Sequence, residues 1–283
     1  MASHGVANPA KDSGLVTSPR LLGLAARTLP GVTPEQAIAL TAQAGFDCLG
    51  ALFAPERSER EWQALRHQAD AAGIRYLDVE PIRIREGTLD ANADRVLAAA
   101  AILGAQFVLV IGHDTDHAAT AAALRQLCER AAPLGLRLAL EFMPFRGVAT
   151  LQDGLAVVSM AAHRAAMLLI DNHHLLRTAG HPAQLAALDP GQIAYAQICD
   201  LPADRPVHPS LDEIMHEALE RRIIPGQGSL DLAEFTAALP SGTPLSIEIL
   251  GAAPRAGFVS DLAYAQALRH SLESIAWLAE RSP

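Results

Sequence analysis

The chain lacks any apolar run long enough to cross a bilayer: its most apolar stretches, 98–103 and 105–111, are broken by Gly or polar residues well short of the roughly 20 residues a spanning helix needs. No membrane partner is expected. It also lacks a surplus of basic charge, since the net charge is −9 and the arginines are scattered, which argues against the clustered cations that neutralise nucleic-acid phosphates. Cysteine is scarce. Cys48, Cys128 and Cys199 form no CxxC or other ligand spacing and read as reduced, mostly buried thiols. Residues 1–14 show no basic start, apolar stretch and small-residue cleavage site, so they read as a loosely ordered polar lead-in, with a single domain over 15–283 and a cytoplasmic location as the expectation. No linker or low-complexity segment divides the chain, and no glycine-rich cradle or Lys-rich cluster marks a phosphate site.

What the sequence does have is a repeated pair: a short run rich in Leu, Val and Ile, then a longer segment of helical periodicity. The strand candidates are 21–27, 48–53, 76–81, 107–112, 137–142, 167–171, 195–200 and 245–250. Between them, helices are expected over 58–72, 90–103, 117–134, 150–162, 182–188, 211–221 and 259–279, and another begins at Thr33-Pro34, where Thr33 can cap and Pro34 suits the first helical position. This one should stop near Gly45. Alternating strands and helices imply a parallel sheet. Eight units without a GxGxxG turn after the first strand favour closure into an α/β (β/α)8 TIM barrel over an open doubly wound sheet, and the length is ordinary for such a barrel.

In that architecture polar residues at the C-terminal tips of strands build the site. Four tips stand out: Glu141 after Leu138-Ala139-Leu140, Asp171 after Leu168-Leu169-Ile170, Gln197 in Tyr195-Ala196-Gln197-Ile198, and Glu248 in Leu245-Ser246-Ile247-Glu248. A charge placed inside an apolar strand loses several kcal/mol of hydration unless it is paired. Three carboxylates converging on one axis would repel one another, and a divalent ion resolves the conflict. Oxygen ligands point to Mn or Mg, with Co or Zn as alternatives, rather than to a structural zinc. Any one of these residues alone could equally be a salt-bridged or protonated barrel carboxylate.

The segments Leu140-Glu141-Phe142-Met143-Pro144, Ile170-Asp171-Asn172-His173-His174, Gln197-Ile198-Cys199-Asp200, Arg222 to Gly228 and Ser246-Ile247-Glu248 resemble the xylose-isomerase-like barrel superfamily of sugar phosphate isomerases and epimerases. The resemblance implies a single divalent metal held by Glu141, Asp171, Gln197 and Glu248. It also implies contacts from His174 and Arg222 to substrate oxygens. Gln197 departs from the family, whose epimerases usually show His there; Gln is similar to the inosose dehydratase and 3-dehydroshikimate dehydratase branches. A Gln oxygen still suits a hard cation.

The expected chemistry is proton abstraction beside a carbonyl of a small polyhydroxylated substrate, unphosphorylated because no phosphate signal is present. Glu141 and Glu248 approach from different sides and would move the proton in an epimerisation or isomerisation; if a β-hydroxyl leaves instead, the outcome is dehydration, with His174 as its acid. Glu80 and His113, with Arg83, end the third and fourth strands and could line the substrate pocket, though Glu80 could simply pair with Arg83 and His113 could belong to a turn. Which of His173 and His174 faces the site is open, and Arg222 beside Arg221 could be a surface residue. His4, His67, His163, His208 and His216 read as surface residues. A metal-assisted phosphodiesterase and a non-catalytic sugar-binding barrel are the rival readings; the first would need many more histidines at strand ends, the second a lost carboxylate. The resemblance leaves a homodimer or homotetramer open.

Overall fold

The computed structural model describes residues 20–280, with side chains given to residue 275; the lead-in expected over 1–14 lies outside the described residues. Nine strands form one sheet. They are β1 (Leu22–Leu24), β2 (Cys48–Leu52), β3 (Arg75–Arg85), β4 (Thr88–Leu89), β5 (Phe107–Gly112), β6 (Arg137–Glu141), β7 (Ala166–Asp171), β8 (Ile193–Ile198) and β9 (Leu245–Ile247). All but β4 are parallel, and pairing of β1 with both β9 and β2, and of β2 with β3, closes them into a barrel. The strands that the apolar runs predict are the eight barrel strands.

The helices are α1 (Pro34–Ala44), α2 (Glu59–Ala71), α3 (Ala93–Leu103), α4 (His117–Ala131), α5 (Leu151–Ala161), α6 (Asn172–Arg177), α7 (Leu211–Glu220), α8 (Leu232–Ala238) and α9 (Asp261–Glu280). Their starts follow local chemistry. Thr33 and Gln36 form a reciprocal capping box with Pro34 in the first turn, and Ser58–Glu61 and Thr150–Asp153 repeat the device. Each such cap is worth about 1 kcal/mol. Gly45 ends α1 in the left-handed region at φ 83°.

Four local elements differ from expectation. β3 runs on to Arg85 and turns back through Glu86 and Gly87, both at positive φ, into β4; paired left-handed residues are what a tight hairpin turn requires. Residues 182–187 are 3-10 rather than α-helical, while α6 and α8, of six and seven residues, are too short to show a helical period.

Two apolar cores hold the barrel. The larger lies between sheet and helices; the smaller fills the barrel interior with Cys48, Leu77, Phe107, Leu109, Ala139, Met167, Leu169, Ala194 and Tyr195. Above this apolar floor the inward positions become polar, so the floor blocks one end and the site occupies the other. No helix among the described residues is long and apolar enough to cross a membrane.

Candidate metal and active site

Glu141, Asp171 and Glu248 end β6 and β7 and follow β9, all buried, and each offers an oxygen within 4.8 Å of the others'. Gln197 on β8 lies opposite Asp171 in the strand register, and its Nε2 donates to Glu248 Oε1 at 3.3 Å. Its Oε1 is buried without a partner. Arg222 is only 1% exposed, contrary to the surface alternative. Its Nη1 donates to Asp171 Oδ2 at 2.7 Å and to Glu248 Oε2 at 2.8 Å, while its Nε has no acceptor.

Of the adjacent histidines, His174 approaches Glu141, with Nε2 3.6 Å from Oε1. Asp171 sets this up by capping α6: its Oδ1 accepts from the His174 backbone N–H at 2.9 Å, leaving Oδ2 for Arg222. His173 points the other way, to Glu217, whose Oε1 accepts from His173 Nε2 at 2.9 Å and from Arg177 Nε at 2.6 Å. The two rings meet through their Nδ1 atoms at 3.2 Å. Burial holds both imidazoles below their ordinary pKa, His174 down to about 3, so both are neutral near pH 7. With His173 Nε2 donating to a carboxylate, its Nδ1 must accept from His174 Nδ1–H. The lone pair of His174 is thereby left on Nε2, facing the site.

The family model described as xylose isomerase-like TIM barrel matches residues 38–280. The chain belongs to this family. It is 31% identical over 246 residues to a 3-dehydroshikimate dehydratase of Pseudomonas aeruginosa, a match covering 80% of this chain and 37% of that protein. This chain therefore spans well under half the length of that curated relative. A solved xylose isomerase-like TIM barrel/4-hydroxyphenylpyruvate dioxygenase fusion protein superposes with TM-score 0.75 at 26% identity, covering 92% of this chain and 43% of that one. The IOLI protein with a bound zinc atom superposes at 0.77 and 18% identity, covering 90% and 98%, and so shows the shared fold.

Within this xylose isomerase-like barrel the donor set suits a divalent cation. Burial raises the Glu141 carboxyl well above its ordinary pKa, and the Glu248 and Asp171 charges add to the shift; burial also raises Glu248, against the pull of Arg222. Burial works the same way on Asp171, but Arg222, then His174 and His173, overcome it and hold that carboxyl well below the usual range. A single guanidinium thus pairs with two of the three carboxylates. The orphan Gln197 Oε1 is an acceptor awaiting a positive partner, as a metal ligand would be. Asp171, His173 and His174 form a second set of donor atoms within 4.8 Å, sharing Asp171 with the first.

Glu80 is buried at the tip side of β3, and its Oε1 has no partner, so the pairing with Arg83 is not formed. His113 follows β5, is half-buried, and donates its backbone N–H to Ile84 O. Four further residues shape the site: Asp200 and Gly228, which lie in segments that carry the family resemblance but to which it gives no role, and Asp78 and Glu217, which the sequence did not single out. Asp78, buried on β3, accepts from the Tyr195 hydroxyl at 2.9 Å across the barrel. Asp200 takes four backbone N–H groups, from Leu201 and Leu230 on Oδ1 and Gly226 and Gly228 on Oδ2. Its backbone pairs with Ile223, so it fixes the loop that delivers Arg222. A Cβ at Gly228 would lie 2.2 Å from the Leu201 carbonyl, which only glycine avoids. Glu217 orients His173. The rule that flags Glu141, an acid inside an apolar strand, also flags Asp78 in Tyr76-Leu77-Asp78-Val79.

Proposed function

We propose that this barrel is a divalent-metal-dependent dehydratase of a small cyclic hydroxy-ketone of the 3-dehydroshikimate type. The observation that carries the reading is the inequality of the two glutamates. Epimerisation needs two comparable proton carriers on opposite faces of the substrate. Here Glu248 is tied to Arg222 and Gln197, whereas Glu141 faces His174 and its free Nε2. Of the two glutamates, only Glu141 has an uncommitted base, His174 Nε2, beside it. Dehydration needs no second one, and the dehydratase relatives support it.

Glu141, Asp171, Gln197 and Glu248 would hold the ion, Mn or Mg being the best match to oxygen donors. Bound there, it supplies Lewis-acid polarisation of the substrate carbonyl. His174 Nε2 takes the proton from the carbon next to the carbonyl. The Arg222 Nε–H, which has no acceptor in the protein, donates to the carbonyl oxygen as negative charge develops on it. When the β-hydroxyl departs, the C–O electron pair leaves with it, and His174 returns the same proton to form water. The substrate loses one water, and a new carbon–carbon double bond remains. A six-membered ring that already holds a conjugated double bond becomes aromatic after tautomerisation, which makes the step irreversible. The apolar floor below closes the barrel beneath these polar groups.

The test is incubation of Mn-loaded protein with 3-dehydroshikimate, following 3,4-dihydroxybenzoate by mass spectrometry. Turnover is expected, with His174→Gln slowed about 100- to 10,000-fold while metal content is unchanged. An unslowed His174→Gln enzyme, or epimerised substrate without loss of water, would overturn the assignment.

A further inference from the structure

Some arginines of this protein are paired. Arg57, Arg66, Arg125, Arg130, Arg177 and Arg269 all hold a carboxylate within 4 Å, as an acidic chain of net charge −9 readily permits. At one side of the barrel mouth three arginines lie close to one another without such a partner. Arg83 and Arg85 on β3 and Arg146 after β6 make no ion pair among the described residues, and Arg146 makes one hydrogen bond, to its neighbour's carbonyl, Phe145 O. These residues are brought together by the backbone. Arg83 stands opposite Ile111 in the β3–β5 register, His113 N–H donates to Ile84 O, and Gly147 N–H donates to His113 O. Ile82 and Ile84 pack outward into the helix-facing core, so the alternate residues Arg83 and Arg85 take the other face.

The donors here are left over. Arg146 Nε and His113 Nε2 are buried with no hydrogen-bond partner. Burial and the nearby charges of Arg85, Arg146 and Arg83 push His113 below its ordinary pKa, with Asp114 opposing, so the imidazole sits in a cationic field. Like charges held together with unmet donors are expensive unless an anion joins them. The cluster also touches the reacting centre. The Arg146 guanidinium lies over the Phe145 ring at 5.2 Å, and that ring meets His174 edge-on at 5.6 Å.

We propose that Arg83, Arg85, Arg146 and His113 form a carboxylate-binding subsite that selects substrates bearing an acid group and orients the ring across His174. It rests on the reading of the site as a hydroxy-ketone dehydratase and names what that substrate must carry. The planar guanidinium fork matches a carboxylate in two parallel hydrogen bonds. The mouth therefore divides its labour: the β6 to β9 side would hold the cation, and arginines on the β3 to β6 side hold the anionic substituent.

The experiment compares two probes on Mn-loaded protein by calorimetry. Both 3,4-dihydroxybenzoate and catechol carry the adjacent oxygens, and only the first carries a carboxylate. The acid is expected to bind at least about 30-fold tighter, and Arg83→Gln and Arg146→Gln each to weaken it about 10-fold or more, leaving catechol within about twofold. Unchanged catechol affinity also reports that each variant is folded. Equal binding of the two probes by the unmodified protein, or a preference that survives in both variants, overturns the subsite. Turnover of 3-dehydroshikimate is measured beside it: turnover without acid preference breaks the subsite alone, and acid preference without turnover breaks the dehydratase reading alone.

Discussion

Two buried acidic clusters share this barrel and meet the same electrostatic difficulty differently. Asp171 and Glu248 flank the Arg222 guanidinium, and Asp171 is held ionised far below its ordinary range. Asp78 and Glu80, on β3, have no cation in contact; Asp78 has only the Tyr195 hydroxyl, and burial pushes it up to about 7, while burial and the Asp78 charge raise Glu80 well above its ordinary range. In the first cluster the guanidinium keeps Asp171 ionised, while burial still raises Glu248 against it. The second is a proton store, because a carboxyl without a counter-ion escapes the desolvation penalty by staying neutral. The same residue type in the same interior is therefore shifted in opposite directions, and the partner decides which.

The largest expected departure comes from Glu248→Gln, which removes one carboxyl group from the first cluster. Turnover should be abolished and metal content, read by elemental analysis, should fall by more than the roughly 10- to 100-fold typical of an outer contact. A metal-replete, active variant would erase the distinction between the clusters.

Next in size is Arg222→Gln. Without metal it strands Asp171 and Glu248, and breaking such a buried pair costs about 3–5 kcal/mol in urea unfolding. Added Mn should restore most of that loss. Unaltered stability in the absence of metal would show that Arg222 is not what keeps Asp171 ionised.

The smallest effect, and the sharpest contrast, is in pH dependence. Asp78 is protonated in the fold up to about 7 but only to about 4 in the unfolded chain, so its contribution is full below about 4 and is lost as pH rises to about 7. Asp171 runs the opposite way, contributing above about 4 and losing its contribution as pH falls. In metal-free protein Asp78→Asn should flatten the decline in melting temperature between about pH 4 and 7. An unaltered profile would mean that Asp78 is ionised like its counterpart.

The barrel was legible because its strands are short apolar runs separated by well-capped helices; Phe107–Gly112 agrees residue for residue with expectation. What escaped was short or depended on distant partners. The six residues of α6 follow β7 directly, so Asp171-Asn172-His173-His174 read as a strand tip when it is a tip and a capped helical turn together. Sequence left open which histidine faces inward because that choice is made by Glu217, 44 residues from His173. Arg222 looked as though it could be a surface residue for the same reason: its neighbour Arg221 pairs with exposed Asp204 while it turns inward to Asp171 and Glu248. The three arginines of the mouth could not be seen as a group, since they come from one strand and a distant loop that only the closed sheet brings together.

The Asp200 carboxylate gathers both ends of the 201–230 excursion onto one side chain, so it works as a clasp. Between its jaws the stretch 202–221 can be rewritten, shortened or lengthened by evolution or by an engineer without displacing Arg222, so long as Glu217 keeps its grip on His173 and Arg177. Variation for new substrates can then accumulate in a cassette while the chemistry stays anchored. Grafting that stretch from a relative is a shorter route to altered selectivity than rebuilding the barrel mouth.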